Sequence, residues 1–297
     1  MASAKDEVHR LVDLLSDFEC DQIASALDRT VVGERFWEDD VAILYNEYVK
    51  TRSAELAENF GDLIPSMAAA GDGLFIPIPI VKAYEDAECM ALPAPGSLVV
   101  GVGECLQRRR SRRDYTGDAL SASELSTVLA HACGRTGAIA GYDYDRLPLR
   151  SFPSAGGLQA PEVYLSVQAV ADVPAGIYHY HAGDHALELL AAGDHGATLS
   201  TVAMGQDLQR AAVVFLLTGC YARVRWKYGE RAYRYMCIDT GFLGQNLCLV
   251  AEALDLGACA IAGFIDDAAD RLLGIDGRDE LSMLLISMGP VRRRTAP

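Results

Sequence analysis

The chain has 297 residues, 51% of them hydrophobic and 23% charged, which is enough apolar surface for a sizeable core and excludes a disordered or fibrous protein. Its 26 Lys and Arg against 41 Asp and Glu leave a formal charge of -15, the opposite of the basic footprint of a nucleic-acid binder. Half of those cations nevertheless stand in three short stretches: Arg108, Arg109, Arg110, Arg112 and Arg113; a second group over 223–234; and Arg292, Arg293 and Arg294. An acidic chain that gathers positive charge in this way is arranged to hold a local anion.

At the start of the chain Val8, Leu11, Val12, Leu14 and Leu15 recur at helical spacing, and Ile23, Ala24 and Leu27 continue the pattern. This predicts amphipathic helices with an acidic outer face. No basic segment followed by an apolar one opens the sequence, and the longest apolar stretch, 211–222, is shorter than the roughly 20 residues that cross a bilayer. The expectation is a cytoplasmic protein without membrane contact. Eight cysteines are scattered with no C-x-x-C pair, so neither a metal site nor a disulfide framework is expected. Pro77, Pro79, Pro93 and Pro95 exclude regular helix and predict an extended connector. The expected division is an acidic helical region with its connector over 1–95 and a compact α+β domain over 96–297.

Within that domain Ser121 and Glu124 have capping-box spacing, and Leu125, Val128, Leu129 and Ala132 form one apolar stripe ending at Gly134. Val163, Leu165 and Val167 alternate with polar neighbours, predicting a half-buried strand. Residues 177–180 and 186–190 read as a hairpin turning through Ala182, Gly183 and Asp184, and 213–218 as an apolar strand. Residues 243–256 predict a helix apolar nearly all round, central or at an interface, and 281–288 a last buried strand. Strands and helices do not alternate regularly and no G-x-G-x-x-G follows a strand, which disfavours a Rossmann fold.

Three segments could carry chemistry. In the run 108–115, guanidinium forks match phosphate oxygens and Ser111 adds a hydroxyl; taken alone it is equally a solvated basic stretch. In Pro153, Ser154, Ala155, Gly156 and Gly157, a small-residue backbone can approach a flat ligand and offer its N–H groups, although a plain turn has the same composition. In 225–235 the adjacent Lys227 and Tyr228 are both titratable, and burial beside cations can lower such a group far enough to take a proton. The alternative there is an amphipathic helix with aromatics on the core. His179 and His181 share one face of a predicted strand with no carboxylate nearby in sequence, and none of the six histidines is placed in the site.

Read in order, the pieces resemble the nitroreductase superfamily of FMN flavoproteins and, within it, the SagB-type dehydrogenases that include azoline oxidases. The motifs are R-R-S-x-R-x-Y (109–115), P-S-A-G-G-L (153–158), G-I-Y-H-Y (176–180), K-Y-G-x-R-x-Y-R-Y (227–235), Q-N-L-C-L-x-A-x-A-L (245–254) and Gly263-Phe264, spanning about 98–290. The chain departs from such relatives at Asp239-Thr240-Gly241-Phe242, where E-x-G-H is common, and at Asp255, which interrupts A-L-G-L-G.

The resemblance implies a nitroreductase-like α+β homodimer with a mixed central sheet flanked by helices and FMN at the subunit interface. It implies that Arg109, Arg110, Ser111 and Arg113 hold the FMN phosphate and ring edge, with Arg292 or Arg294 completing the phosphate site. Pro153, Ser154, Ala155 and Gly156 would lie along the isoalloxazine, and Ala262 and Gly263 near its N5 side. Lys227 and Tyr228 would be the catalytic, proton-handling pair. The implied activity is dehydrogenation of a thiazoline or oxazoline in a peptide to the azole, in natural-product biosynthesis alongside a cyclodehydratase. The alternatives are an NAD(P)H-dependent reductase of nitro, quinone or dehydroamino-acid compounds, and a non-catalytic scaffold that docks a peptide.

Overall fold

The computed structural model describes residues 78–142 and 144–292, together with Tyr45. The chain divides into two compact units, Met1–Gly71 and Asp72–Pro297, and the strands and helices named here lie in the second. The helices expected over 8–27 and Arg294 lie outside the described residues.

Seven strands form one sheet: β1 (Glu88–Ala91), β4 (Pro161–Val167), β5 (Gly176–His181), β6 (Ala186–Ala192), β7 (Val213–Cys220), β8 (Gly257–Ile261) and β9 (Glu280–Gly289), in the order β1-β6-β5-β4-β7-β9-β8. Two more, β2 (Arg135–Gly141) and β3 (Tyr144–Arg150), make a separate hairpin. The helices are α1 (Val102–Arg108), α2 (Ala122–Cys133), α3 (Gly196–Val202), α4 (Tyr221–Tyr228), α5 (Ala232–Ala253) and α6 (Asp266–Leu273).

Every named strand pair is antiparallel. The central sheet, expected to be mixed, is therefore antiparallel throughout its strand pairs, and parallel pairing occurs only at isolated bridges such as Ser111 on Ala258 of β8. Short hairpins suffice to join antiparallel neighbours, and β5 and β6 are joined in this way, with His181 opposite Ala186.

The strand expected to be half-buried is buried at all seven positions. Val163, Leu165 and Val167 pack into one apolar cluster with Leu125 and Leu129 of α2 and Leu243 and Leu247 of α5. Tyr164 points into a second cluster with Leu199, Ile261 and Leu273 on the other face. Because helices cover both faces, the polar positions of the alternation, Glu162, Tyr164 and Ser166, are enclosed as well. Each fully buried Leu or Val in these layers contributes roughly 1.5–3 kcal/mol over its exposed form.

The expected connector also differs. Residues 88–91 pair with β6 as the edge strand of the sheet, and Ile80 is buried, so a boundary at 95 would sever β1 from the sheet it joins. The capping box at α2 is formed: Ser121 Oγ accepts the Glu124 N–H at 3.1 Å, and Glu124 accepts the Ser121 N–H at 2.8 Å. Gly134 ends that helix, where a Cβ would stand 2.4 Å from the Ala130 carbonyl oxygen. The helix expected over 243–256 is the second half of α5, which packs against α2 and the sheet. No helix among the described residues is long and apolar enough to cross a membrane.

Candidate functional site

The first and last cationic stretches meet through backbone pairing. Arg112 N–H donates to Ala258 O at 3.0 Å, Thr116 N–H to Pro290 O at 2.9 Å, and Tyr115 bridges Val291. The segment that follows α1 is thereby laid along the edge of β8, with Arg292 beside it. Arg110, Ser111 and Arg292 then line one cavity of about 840 Å³, together with Arg108, Arg112, Glu252 and Asp255.

The carboxylates there have assigned partners. Arg108 pairs with Glu104 at 2.8 Å and Glu252 at 3.2 Å, and Arg112 with Glu252 at 3.3 Å. Arg110 donates instead to the carbonyls of Gln107 and Arg109. The cations that lie outside the R-R-S-x-R consensus positions are thus the ones tied to acids. Arg109, half-buried, lies near Cys248, whose thiol is pushed up by burial against the opposing charge of Arg109. Arg113 faces another cavity, of about 380 Å³, with Tyr115 and Arg210.

A second group forms where α4 ends. Gly156, in a 3-10 turn (Ala155–Gly157), has φ +61, and a Cβ there would stand 2.5 Å from the Tyr228 hydroxyl, 2.9 Å from that of Tyr142 and 3.0 Å from Lys227 Nζ. Glycine is required here twice over, by the left-handed backbone and by the polar groups that crowd its α-carbon. Tyr142, at the tip of the β2–β3 hairpin, donates its hydroxyl to Gly156 O at 2.7 Å and accepts from Lys227 Nζ. Burial, reinforced by Tyr142, Tyr235 and Asp239, pushes the Tyr228 phenol above its ordinary value. A lowered value is one reading of the Lys227-Tyr228 pair; instead Tyr228 stays protonated near neutrality, chiefly because burial disfavours the phenolate.

The loop before Gly156 is tied from below. Asp239, buried on α5, accepts the Ser154 hydroxyl at 2.7 Å and the Ala155 N–H at 3.0 Å. Burial pushes the Asp239 carboxyl up while these two donors oppose it. The Ala155 N–H expected to face a ligand is therefore used internally. Pro153 and Gly156 are exposed, as are Ala262 and Gly263 after β8, where a Gly263 Cβ would meet Met204 Cε at 3.0 Å.

The structure brings the P-S-A-G-G loop and the Lys-Tyr pair together, and the first cationic stretch together with Arg292. Lys227 and Tyr228 are not among the residues lining the 840 Å³ cavity.

Sequence reasoning missed Tyr142 and the role of Asp239. The only local signal for Asp239 was its place in the altered E-x-G-H segment. It also misread His179, which is buried between Glu188 at 2.7 Å and Glu162 at 3.4 Å. Those carboxylates are on neighbouring strands, not nearby in sequence. Glu162 also holds the buried Arg223 at 2.5 Å. Burial opposes its charge, but Arg223 and His179 outweigh it and hold the carboxyl at about 2.

The nitroreductase family profile matches residues 106–289. An inferred nitroreductase of Methanocaldococcus jannaschii is 29% identical over 203 residues, covering 68% of this chain and 97% of that one. The microcin B17-processing protein McbC of Escherichia coli is 28% identical over 148 residues, 48% of this chain and 54% of McbC, so the match spans about half of that relative. Among solved structures, the Escherichia coli microcin synthetase McbBCD complex with truncated pro-MccB17 bound contains a chain of the same fold, with a TM-score of 0.53 at 20% identity, covering 82% of this chain and 99% of that one.

Proposed function

The chain belongs to the nitroreductase family, and from that premise we propose that it is a SagB-type dehydrogenase that oxidises an azoline ring in a peptide to the azole. The observation that carries this reading is the convergence of Lys227, Tyr228 and Tyr142 on Gly156. The likeness to McbC, a microcin B17-processing protein, supports the choice of substrate class.

FMN suits the residues present. Arg110, Ser111 and Arg292 line one cavity and form a donor set that matches a phosphate, whereas Arg109 does not line it and Arg113 faces the separate cavity beside Tyr115 and Arg210. Pro153, Ser154, Ala155 and Gly156 would lie along the ring, and Ala262 and Gly263 at its other edge. Bound there, FMN supplies a two-electron acceptor for the ring being oxidised.

The chain's own residues would do the rest. Tyr228, which keeps its proton, donates a hydrogen bond that orients the substrate ring. Lys227 accepts the proton that leaves the ring carbon. Asp239 keeps the 154–156 backbone in place. The protein works as a homodimer with the flavin at the subunit interface, beside a cyclodehydratase that makes the azoline.

Purified protein is expected to bind FMN and to convert a thiazoline-containing peptide to a product two hydrogens lighter, read by mass spectrometry. Lys227→Ala is expected to retain FMN and lose about 100-fold or more in turnover. A protein that takes up no FMN would sink the cofactor claim, and unchanged turnover would remove Lys227 from the chemistry. The likeness to the Methanocaldococcus jannaschii protein favours a second reading, a reductase driven by NAD(P)H. Rapid bleaching of bound flavin by NADH or NADPH would select it.

A further inference from the structure

Resting on the dehydrogenase reading above, we propose that Tyr142 is a positioning residue for Lys227, carried to the site on the tip of the β2–β3 hairpin. Gly141 pairs with Tyr144, so Tyr142 stands in the turn between the two strands. Such turns favour Asn, Asp or Gly at positive φ. Tyr142 occupies the first turn position with φ +50, a left-handed conformation that is strained for a bulky side chain. A residue that turn chemistry disfavours is kept there by what its side chain does.

That side chain reaches back onto the core of the site. Its ring stands edge-on to Trp226 with centroids 5.9 Å apart, and Lys227 Nζ lies 4.8 Å from the ring centroid. Its hydroxyl hydrogen is committed to the Gly156 carbonyl, so the oxygen presents only lone pairs to Lys227. Lys227 must therefore be the donor in that contact. One N–H of the amine is thereby fixed toward Tyr142, which sets the direction of the remaining positions on the nitrogen relative to the loop. The same chain of bonds holds Nζ above Gly156, within 3.0 Å of where a Cβ would stand. Tyr142 so couples the position of the base to the loop expected to carry the flavin. It need not touch substrate to act.

The test compares Tyr142→Phe, which removes only the hydroxyl, with Tyr144→Phe on the same hairpin. With azoline peptide, Tyr142→Phe is expected to lower kcat about 100-fold, as a misplaced catalytic group does, with KM little changed. Tyr144→Phe is expected to match the parent protein. In parallel, reductive methylation of the intact protein without substrate, quantified at Lys227 by mass spectrometry, is expected to run several-fold faster in Tyr142→Phe than in the parent, since the amine is released. An unchanged labelling rate, or a fall in kcat shared by Tyr144→Phe, would overturn the proposal. Should the parent protein oxidise no azoline, the dehydrogenase reading fails by itself, while the labelling still decides whether Tyr142 holds Lys227.

Discussion

Replacing Arg223 by Met tests the polar centre of the sheet. Arg223 is 1% exposed; its Nη2 lies 2.5 Å from Glu162 and its Nη1 donates to Gln159 O at 2.7 Å. The substitution leaves the volume largely filled but strands a carboxylate that is 2% exposed. Removing one partner of a buried pair costs about 3–5 kcal/mol. The acid side gives a similar figure: holding Glu162 at about 2 instead of 4.5 corresponds to about 3 kcal/mol. For a folded unit of this size that lowers Tm by about 10 °C.

The sign with pH follows from the depressed carboxyl. Its contribution is complete above about pH 4.5 and is lost as pH falls toward about 2. Without the guanidinium, burial of the Glu162 carboxyl is opposed by His179 with far less help, so the deficit of the variant is expected to be larger at pH 7 than at pH 4 and to shrink as the pH falls toward about 2. His179, whose value is raised by Glu162 and Glu188 against burial, works oppositely. Its contribution is present below 6.5 and is lost as pH rises through its folded value. Urea midpoints for the parent, Arg223→Met and the double variant with Glu162→Gln, each measured at pH 7 and pH 4, separate these contributions. The double variant is expected to recover much of the loss. A single variant within about 1 kcal/mol of the parent at pH 7, or a double variant as unstable as the single, would refute the reasoning.

Asp239→Ala should strand the Ser154 hydroxyl and the Ala155 N–H, costing about 1–3 kcal/mol. Thermal melts and faster proteolysis within 153–157 would show it, and a loop as resistant as the parent's would contradict it. Gly156→Ala places a Cβ 2.5 Å from the Tyr228 hydroxyl at φ +61, so a lowered Tm and loss of azoline oxidation are expected together. Full activity in that variant would mean that Lys227, Tyr228 and Tyr142 do not gather at this loop during turnover.

The sequence by itself determined whatever depends on neighbours along the chain. The capping box at Ser121 and Glu124 and the β5–β6 hairpin follow from local backbone chemistry, which needs no partner from elsewhere. The ordered motifs likewise pointed to the nitroreductase family, whose profile matches residues 106–289. Tertiary structure decided what depends on the other face of an element. Alternation in β4 could not reveal that a second helical layer buries Glu162, Tyr164 and Ser166, since a polar residue reads the same facing water or facing a paired charge. His179 looked partnerless because its carboxylates lie across the sheet on β4 and β6. Nor could spacing bring Tyr142 and Lys227 together: they stand 85 positions apart, and only the hairpin folding back over α4 joins them in one hydrogen bond. Three clusters of cations stand in the sequence; packing separates them into an edge that lines a cavity and a lysine held by a tyrosine.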